Sequence, residues 1–324
     1  SPISTPPRLR GMVYAVANWE SIQAHTACSG WPLAFGKGSR GAEDEGTGMT
    51  PNVTFLGIGR MGLGMVTNIA ESASEAVADA DIVCTSVTDA EAVREILFER
   101  GVADAMKPGA IFCDMSSIAP QAEQEFDTEL TKLGIRHLDA PVSGGTQGAE
   151  LGSLAIMVGG EKDTFVEATP VLAAMGRPFR VGPCGAGQLT KLCNQVIVAI
   201  SIAGLSEAML LAEAGGANPA SVRDALRGGF AESRVLQEHG NRIIERNWGP
   251  GAQVKNTLKD LDTVLRTARE CGLDLPFLNL ARDLYSALSA RGLAEYDQTA
   301  LLLELEHRNA PHRVGDKPDS GPGS

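Results

Sequence analysis

One lysine stands at the start of a long apolar stretch, together with two amide side chains. Lys191, Asn194 and Gln195 are spaced i, i+3, i+4, so a helix would place all three on one face. Burial of a lysine in an apolar helix is unfavourable in free energy, so such a lysine is expected to have a function. Burial also lowers the pKa of a lysine. The pattern favours an acid/base that exchanges a proton with a carbonyl or alkoxide oxygen. The alternative is a lysine that reaches solvent at the start of the helix.

A second candidate site lies in the glycine-rich segment 139–149. Within it, Ser143, Gly144 and Gly145 offer a hydroxyl and several exposed backbone N–H groups, which together could bind a substrate carboxylate. For this segment taken alone, a glycine turn without a ligand remains the alternative interpretation.

A third motif follows a short β-prone run at residues 53–56 and opens a helical pattern. It consists of Gly57, Ile58, Gly59, Arg60, Met61 and Gly62. The first glycine permits a tight turn, the second lets the backbone approach a pyrophosphate, and the third allows close packing of helix on strand. With the strand before it and the helix after it, the motif predicts a dinucleotide site rather than an ordinary turn.

The continuation that such a motif requires is missing. A dinucleotide fold should proceed to a second strand whose last residue, about 20 residues further on, reads the adenosine ribose. Here residues 65–70 run directly into residues 71–75, which resemble the approach to the next strand. A strand-turn-helix unit of about 30 residues is therefore expected to be absent after Ala70. The first strand should consequently have an unpaired edge, and dinucleotide binding should be weak.

Composition excludes several function classes. The net charge of −12 argues against nucleic acid or an anionic membrane surface as a partner. The five histidines show no hydrolase or metal-site spacing, so no metal is expected. The six cysteines form no CxxC pair, and several lie in apolar runs, which favours a reducing cytoplasmic compartment. No apolar run is expected to reach the length of a membrane span.

The elements that must position these residues fall into four segments. Residues 1–48 are rich in Pro, Gly and Ser, without a sustained period, and are expected to be disordered or extraneous. Strand and helix patterns alternate in 49–184, which predicts a Rossmann-type parallel sheet lacking its second strand unit. Helical patterns alone fill 185–307, an expected all-α domain for substrate binding and dimerisation. The polar, Pro/Gly-rich segment 308–324 is expected to be disordered.

The motifs together resemble the β-hydroxyacid dehydrogenase family, whose members pair a Rossmann domain with an all-α domain. The resemblance covers roughly residues 52–307, apart from the gap, and it rests on five landmarks in order: 57–62, 114–120, 143–145, 191–195 and 259–260. It implies an NAD- or NADP-dependent oxidoreductase that acts on a small carboxylate substrate, assembled as a homodimer or homotetramer.

The resemblance also implies roles for individual residues. Lys191 would be the general acid/base, Asn194 and Gln195 would position substrate, and 143–145 would hold its carboxylate. Residues 57–62, Val87, Thr88, Ser116 and Lys259 would contact the cofactor, although spacing alone makes Lys259 part of a solvated pair with Asp260.

The segment 228–240 and the pair Asn194-Gln195 resemble the tartronate semialdehyde reductase branch of the family. That likeness implies reduction of 2-hydroxy-3-oxopropanoate to glycerate. A dehydrogenase for 3-hydroxyisobutyrate or a related hydroxyacid is one alternative. A second alternative is a non-catalytic binding or scaffold protein. The missing strand favours this alternative, whereas the presence of Lys191 argues against it.

Overall fold

A computed structural model describes residues 14–18, 51–56, 68–69, 73–249 and 251–322, with the backbone alone at 14–18 and 68–69. The chain forms two compact units, Ser1–Lys191 and Leu192–Ser324. The expected domain boundary at residues 184/185 falls just before the long helix that begins in the first unit and continues into the second.

The first unit contains one sheet. Its strands are β1 (Tyr14–Asn18), β2 (Asn52–Leu56), β3 (Asn68–Ile69), β4 (Ile82–Thr85), β5 (Ile111–Asp114), β6 (Arg136–Asp139), β7 (Val142–Ser143), β8 (Leu154–Gly160) and β9 (Gly176–Gly182). The strand order is β3-β1-β2-β4-β5-β6-β8-β7, and β9 pairs with β8. Strands β2, β4, β5 and β6 are parallel, as the alternating pattern predicts.

Helices accompany this sheet. They are α1 (Ala73–Val77), α2 (Ala90–Arg94) with a π-helical continuation at Glu95–Glu99, α3 (Val102–Ala105), α4 (Pro120–Lys132), α5 (Gly145–Glu150) and α6 (Lys162–Met175). Every residue of β4 and β5 is buried, which is the pattern of parallel strands covered on both faces. The Rossmann-type sheet is confirmed.

The outer edge of β2 is paired, although the sequence predicts that it is unpaired. β1 pairs with it antiparallel over five residues, from Tyr14 opposite Leu56 to Asn18 opposite Asn52. β3 then pairs antiparallel with β1. The expectation of disorder is therefore wrong for 14–18, because a β-prone segment satisfies the backbone groups that the missing unit would otherwise pair.

The second unit is helical, as predicted. Its helices are the continuation of α7 (Ala186–Ala214), followed by α8 (Pro219–Leu226), a π-helical turn (Val235–His239), α9 (Gly240–Glu245), α10 (Val254–Glu270), α11 (Pro276–Leu288) with a π-helical end (Ser289–Leu293), a 3₁₀ turn (Gln298–Ala300) and α12 (Leu301–Arg308). Trp248, Tyr285 and Leu301 are among the fully buried side chains at its core.

The long helix α7 corrects one expectation drawn from composition. It is long and apolar enough to cross a membrane by length and composition alone. The expectation that no apolar run reaches this length is therefore wrong. A core helix of a soluble protein satisfies the same criteria, so this single helix is weak evidence for a membrane span.

The segment after α12, expected to be disordered, is packed against the helical unit. Arg246 donates from Nε to Asp319 (2.8 Å), and Trp248 donates from Nε1 to the same carboxylate oxygen (2.7 Å). Val314 is 1% exposed, and its carbonyl accepts from Arg246 Nη1 at 2.9 Å. A polar segment is disordered when it has no partners to bind. Here Arg246 and Trp248 of the helical unit bind the segment through Asp319, so it is ordered.

Candidate active site

The predicted acid/base lies beside the predicted carboxylate site. α7 carries Lys191, whose Nζ donates to the carbonyl oxygen of Val142 at 2.8 Å, one residue before Ser143. Gly144 and Gly145 then turn the chain into α5 with φ of 138° and 64°. These conformations at positive φ suit glycine. The structure thus brings Lys191 and segment 143–145 together, and Lys191 is half-buried rather than fully buried.

The start of α7 is held by the fully buried carboxylate of Asp139, at the end of β6. Its two oxygens accept from the backbone N–H groups of Gly185 (2.9 Å) and Gln188 (2.8 Å). Gly187 allows this close approach, because a Cβ there would overlap the carbonyl oxygen of Met157 and lie 2.6 Å from that of Asp139. The anchored first turn determines where Lys191, four residues further along the helix, is presented.

The side chain of Gln188 links this helix start to the loop after β5. Its amide donates to Ser116 O (2.8 Å) and Glu123 Oε1 (2.6 Å), while its oxygen accepts from the N–H of Ile118 (3.2 Å). Ser116 Oγ in turn accepts from the N–H of Val87 at 2.9 Å. Gln188 is therefore a positioning residue for the loop that holds Ser116, one of the predicted cofactor contacts.

A buried group of ionisable side chains lies behind Gln188. Burial raises the pKa of Asp139, although the amides of Gln188 and Gly185 oppose the shift. Burial likewise raises the pKa of Glu123, against the opposing effect of His137. For His137, burial disfavours the charged ring, but the neighbouring Asp127, Cys184 and Glu123 raise its pKa well above the usual value. The imidazolium thus compensates the surrounding carboxylates.

The second unit contains a polar chain built on the same helix α7. Asn194 Nδ2 donates to Gln195 Oε1 (2.8 Å), and Gln195 Nε2 donates to Asp260 Oδ2 (2.7 Å). The other oxygen of Asp260 lies 3.4 Å from Lys259 Nζ. The side chain of Asp260 is only 15% exposed. The prediction of a solvated Lys259–Asp260 pair is therefore wrong for Asp260.

Two family models match the chain. One, described as the NAD binding domain of 6-phosphogluconate dehydrogenase, matches residues 67–186. The other, described as NAD-binding of NADP-dependent 3-hydroxyisobutyrate dehydrogenase, matches residues 185–305. Together they cover both units, and the first begins after the predicted glycine motif.

The chain is also similar to named proteins over most of their length. It is 38% identical over 280 residues to a 2-hydroxy-3-oxopropionate reductase of Escherichia coli (strain K12), covering 78% of this chain and 96% of that protein. The chain belongs to the β-hydroxyacid dehydrogenase family. Within this family it is also 31% identical to a probable 3-hydroxyisobutyrate dehydrogenase of Mycobacterium bovis, over 79% of this chain and 98% of that one. The solved 3-hydroxyisobutyrate dehydrogenase of Salmonella typhimurium superposes with a TM-score of 0.68 at 30% identity, covering 74% and 85% of the two chains.

Family membership makes the protein an NAD(P)-dependent dehydrogenase acting on a CH–OH group. The described residues that follow β4 and β5 fit such a cofactor, because ligands of open α/β sheets bind outside the carboxyl ends of the strands. Val87 and Thr88 follow β4, and Ser116 follows β5. Ser116 Oγ accepts from Val87 N, so the residues that follow the two strands contact each other at this edge. The predicted contacts at 57–62 lie outside the described residues.

The sequence alone does not predict several residues of this region. Asp139 begins the glycine-rich segment 139–149 and Gln188 lies three residues before Lys191, but their contacts join positions 49 residues or more apart. The spacing of the histidines along the chain predicts no metal site. The fold nevertheless places His137 beside Asp127 and Cys184. A cavity of about 380 Å³ in the second unit is lined by Arg246, Arg291 and Arg313 among others, and by none of the predicted site residues.

Proposed function

We propose that the protein reduces 2-hydroxy-3-oxopropanoate to glycerate, with Lys191 as the proton donor. The observation that supports this most directly is the position of Lys191 Nζ, 2.8 Å from Val142 O and next to the paired left-handed glycines. A cation then lies beside the glycine turn that we propose binds a carboxylate, which suits a substrate with a carboxylate close to a reacting carbonyl.

Each group has a defined task in this proposal. Segment 143–145 binds the carboxylate, and the hydrogen bond from Lys191 to Val142 O orients the ammonium. A nicotinamide cofactor, when bound, would supply the hydride for the carbonyl carbon. Lys191 gives a proton to the carbonyl oxygen as that oxygen gains negative charge, and it takes the proton back in the oxidative direction. Asn194 and Gln195, on the same helix as Lys191, position the substrate.

The substrate assignment rests on the similarity to the reductase of Escherichia coli and on the Asn194-Gln195 pair. The competing substrates are 3-hydroxyisobutyrate and related hydroxyacids, since relatives with that name match the chain as well. The purified protein should therefore be assayed for kcat/KM with 2-hydroxy-3-oxopropanoate and NADH or NADPH, and with 3-hydroxyisobutyrate and NAD or NADP. A higher kcat/KM for 3-hydroxyisobutyrate would overturn the assignment. Absence of turnover with every substrate would favour a non-catalytic binding protein.

The role of Lys191 has its own test. We expect Lys191→Ala to lower kcat by roughly two to four orders of magnitude, because the transition state loses its proton donor. Cofactor affinity, measured by calorimetry, should change little. Lys162→Ala, which alters an exposed lysine at the start of α6, serves as the control. A Lys191→Ala protein with nearly normal kcat would remove this residue from the mechanism.

We further propose that the protein is a homodimer or homotetramer. The helical unit exposes several large apolar side chains: Ile197 at 65%, Leu211 at 75%, Phe277 at 75% and Leu280 at 58%. Apolar surface of this kind is typical of protein interfaces. Light scattering coupled to size exclusion should give twice or four times the mass of one chain, and the mass of one chain would contradict the proposal.

A cytoplasmic location is proposed on the chemistry of the cysteines. The five cysteines in the part of the chain that the structure describes are free thiols. Free thiols persist in reducing compartments. Cell fractionation with antibodies against the protein would test the proposal, and recovery in a membrane fraction would contradict it.

A further inference from the structure

Three side chains of different chemistry converge at one place in the first unit. Asp127 comes from α4, His137 from β6 and Cys184 from the turn that precedes α7. Nδ1 of His137 lies 3.7 Å from Asp127 Oδ1 and 3.7 Å from Cys184 Sγ. All three potential ligand atoms lie within 4.8 Å of one another. In a tetrahedral zinc site with bonds of about 2.0–2.3 Å, ligand atoms are about 3.3–3.7 Å apart, so small side-chain movements would complete the geometry.

The surroundings of His137 match those of a metal ligand. Its other ring nitrogen, Nε2, lies 3.1 Å from Glu123 Oε2, and both side chains are 0% exposed. Histidines that bind a metal through one nitrogen usually direct the other at a carboxylate, which sets the tautomer and the ring orientation. Phe112 stacks on the imidazole with ring centroids 5.9 Å apart. The ring is thus already oriented with Nδ1 facing Asp127 and Cys184.

We propose that Asp127, His137 and Cys184 bind a divalent transition metal, with Zn²⁺ as the best fit. Zinc accepts nitrogen, oxygen and sulfur ligands together in tetrahedral geometry, whereas Mg²⁺ and Ca²⁺ prefer oxygen ligands alone. Water fills the fourth position, since Asp127 is 40% exposed at its side chain and admits solvent. Binding displaces the thiol proton of Cys184 and the Nδ1 proton of His137, which leaves the proton on Nε2, 3.1 Å from Glu123 Oε2.

The bound metal links three elements that surround the start of α7. Cys184 immediately precedes Gly185, whose N–H donates to Asp139, and Glu123 also accepts from Gln188. A metal at this position would therefore stabilise the anchored turn from which α7 departs. We assign it a structural role: a ligand that binds only the native state stabilises it by an amount that grows with the logarithm of its concentration relative to Kd.

The test uses the metal alone with the full-length, metal-stripped protein. Calorimetric titration with Zn²⁺ should show one site per chain, and Zn²⁺ should raise the melting temperature. Titration with Co²⁺ should produce a thiolate-to-cobalt charge-transfer absorption in the near ultraviolet. Absence of stoichiometric Zn²⁺ binding would overturn the proposal.

Variants at the two partly exposed ligands localise the site, since His137 is buried and its replacement could prevent folding. Cys184→Ser and Asp127→Asn should each weaken Zn²⁺ binding at least about tenfold, and Cys184→Ser should abolish the charge-transfer absorption. Cys271→Ser, at an exposed thiol of the helical unit, and Glu125→Gln, at an exposed carboxylate of α4, are matched controls and should bind like the parent. Undiminished binding by both ligand variants, or loss in Cys271→Ser, would place the metal elsewhere and refute the assignment.

Discussion

Replacement of Gln188 by methionine should destabilise the Rossmann unit strongly, although the two side chains have similar volume. The side-chain amide of Gln188 contacts Ser116 O, Glu123 Oε1 and the N–H of Ile118. Methionine keeps the backbone bond to Asp139 but supplies none of these three contacts. Each partner is buried, so water would not replace the lost amide without a rearrangement of the core.

The magnitude follows from the three partners. Leaving a buried donor or acceptor without its bond costs about 1–3 kcal/mol, and a carboxylate such as Glu123 lies at the upper end of that range. The three contacts share one side chain and are not additive, so we expect a total loss of about 3–6 kcal/mol. Native proteins have about 5–15 kcal/mol of stability, which leaves Gln188→Met folded but weakened.

Urea unfolding followed by circular dichroism measures this loss. Gln237→Met is the matched control, because Gln237 is exposed and bonds only to surface groups such as Glu232, so the expected change is about 0.5 kcal/mol or less. Calorimetry should also show weaker cofactor binding by Gln188→Met, since Ser116 loses its anchor. A destabilisation below about 1 kcal/mol would refute the view that Gln188 holds the loop after β5.

Two further substitutions test the corrected parts of the fold. Arg246→Met leaves Glu306 without its buried bidentate partner (2.7 and 2.9 Å) and should cost about 3–5 kcal/mol in urea unfolding. Arg282→Met, which removes a partly exposed ion pair, should cost about 0–1 kcal/mol, and equal losses would contradict the reasoning. Val16→Pro should lower stability by about 1–3 kcal/mol relative to Val16→Thr, because β1 is paired on both sides and proline removes an N–H from it. Equal stability of the two Val16 variants would show that β1 does not cover the sheet edge.

Local pattern sufficed to predict most of the fold. Residues 82–85 and 111–113 are short, apolar or β-prone runs, and such runs in alternation with helices are compatible with few arrangements other than a parallel sheet. The helix α7 was recognisable from an apolar stretch without proline. Lys191 could be singled out because a charged residue in such a stretch is unusual, and its contact with Val142 agrees with the predicted neighbourhood of segment 143–145.

The remaining parts depend on contacts between distant positions, which local pattern does not encode. Glu123 and Gln188 are 65 residues apart, and Arg246 and Asp319 are 73 apart. Taken singly, each of these residues is an ordinary polar residue in a helix or a loop. Only the fold determines that Gln188 is buried against a carboxylate, or that the polar tail has an arginine to pair with.

Strand β1, at the sheet edge, has only one of the two functions that the second strand has in the usual dinucleotide fold. There, the second strand both pairs with the first and ends, at the carboxyl edge, in the residue that reads the ribose. β1 performs the pairing, but it runs antiparallel, so its first residue, Tyr14, lies opposite Leu56 at that edge. An antiparallel strand cannot place its carboxyl end there. β1 thus pairs the sheet edge without bringing a strand's carboxyl end to the position where the usual fold reads the ribose.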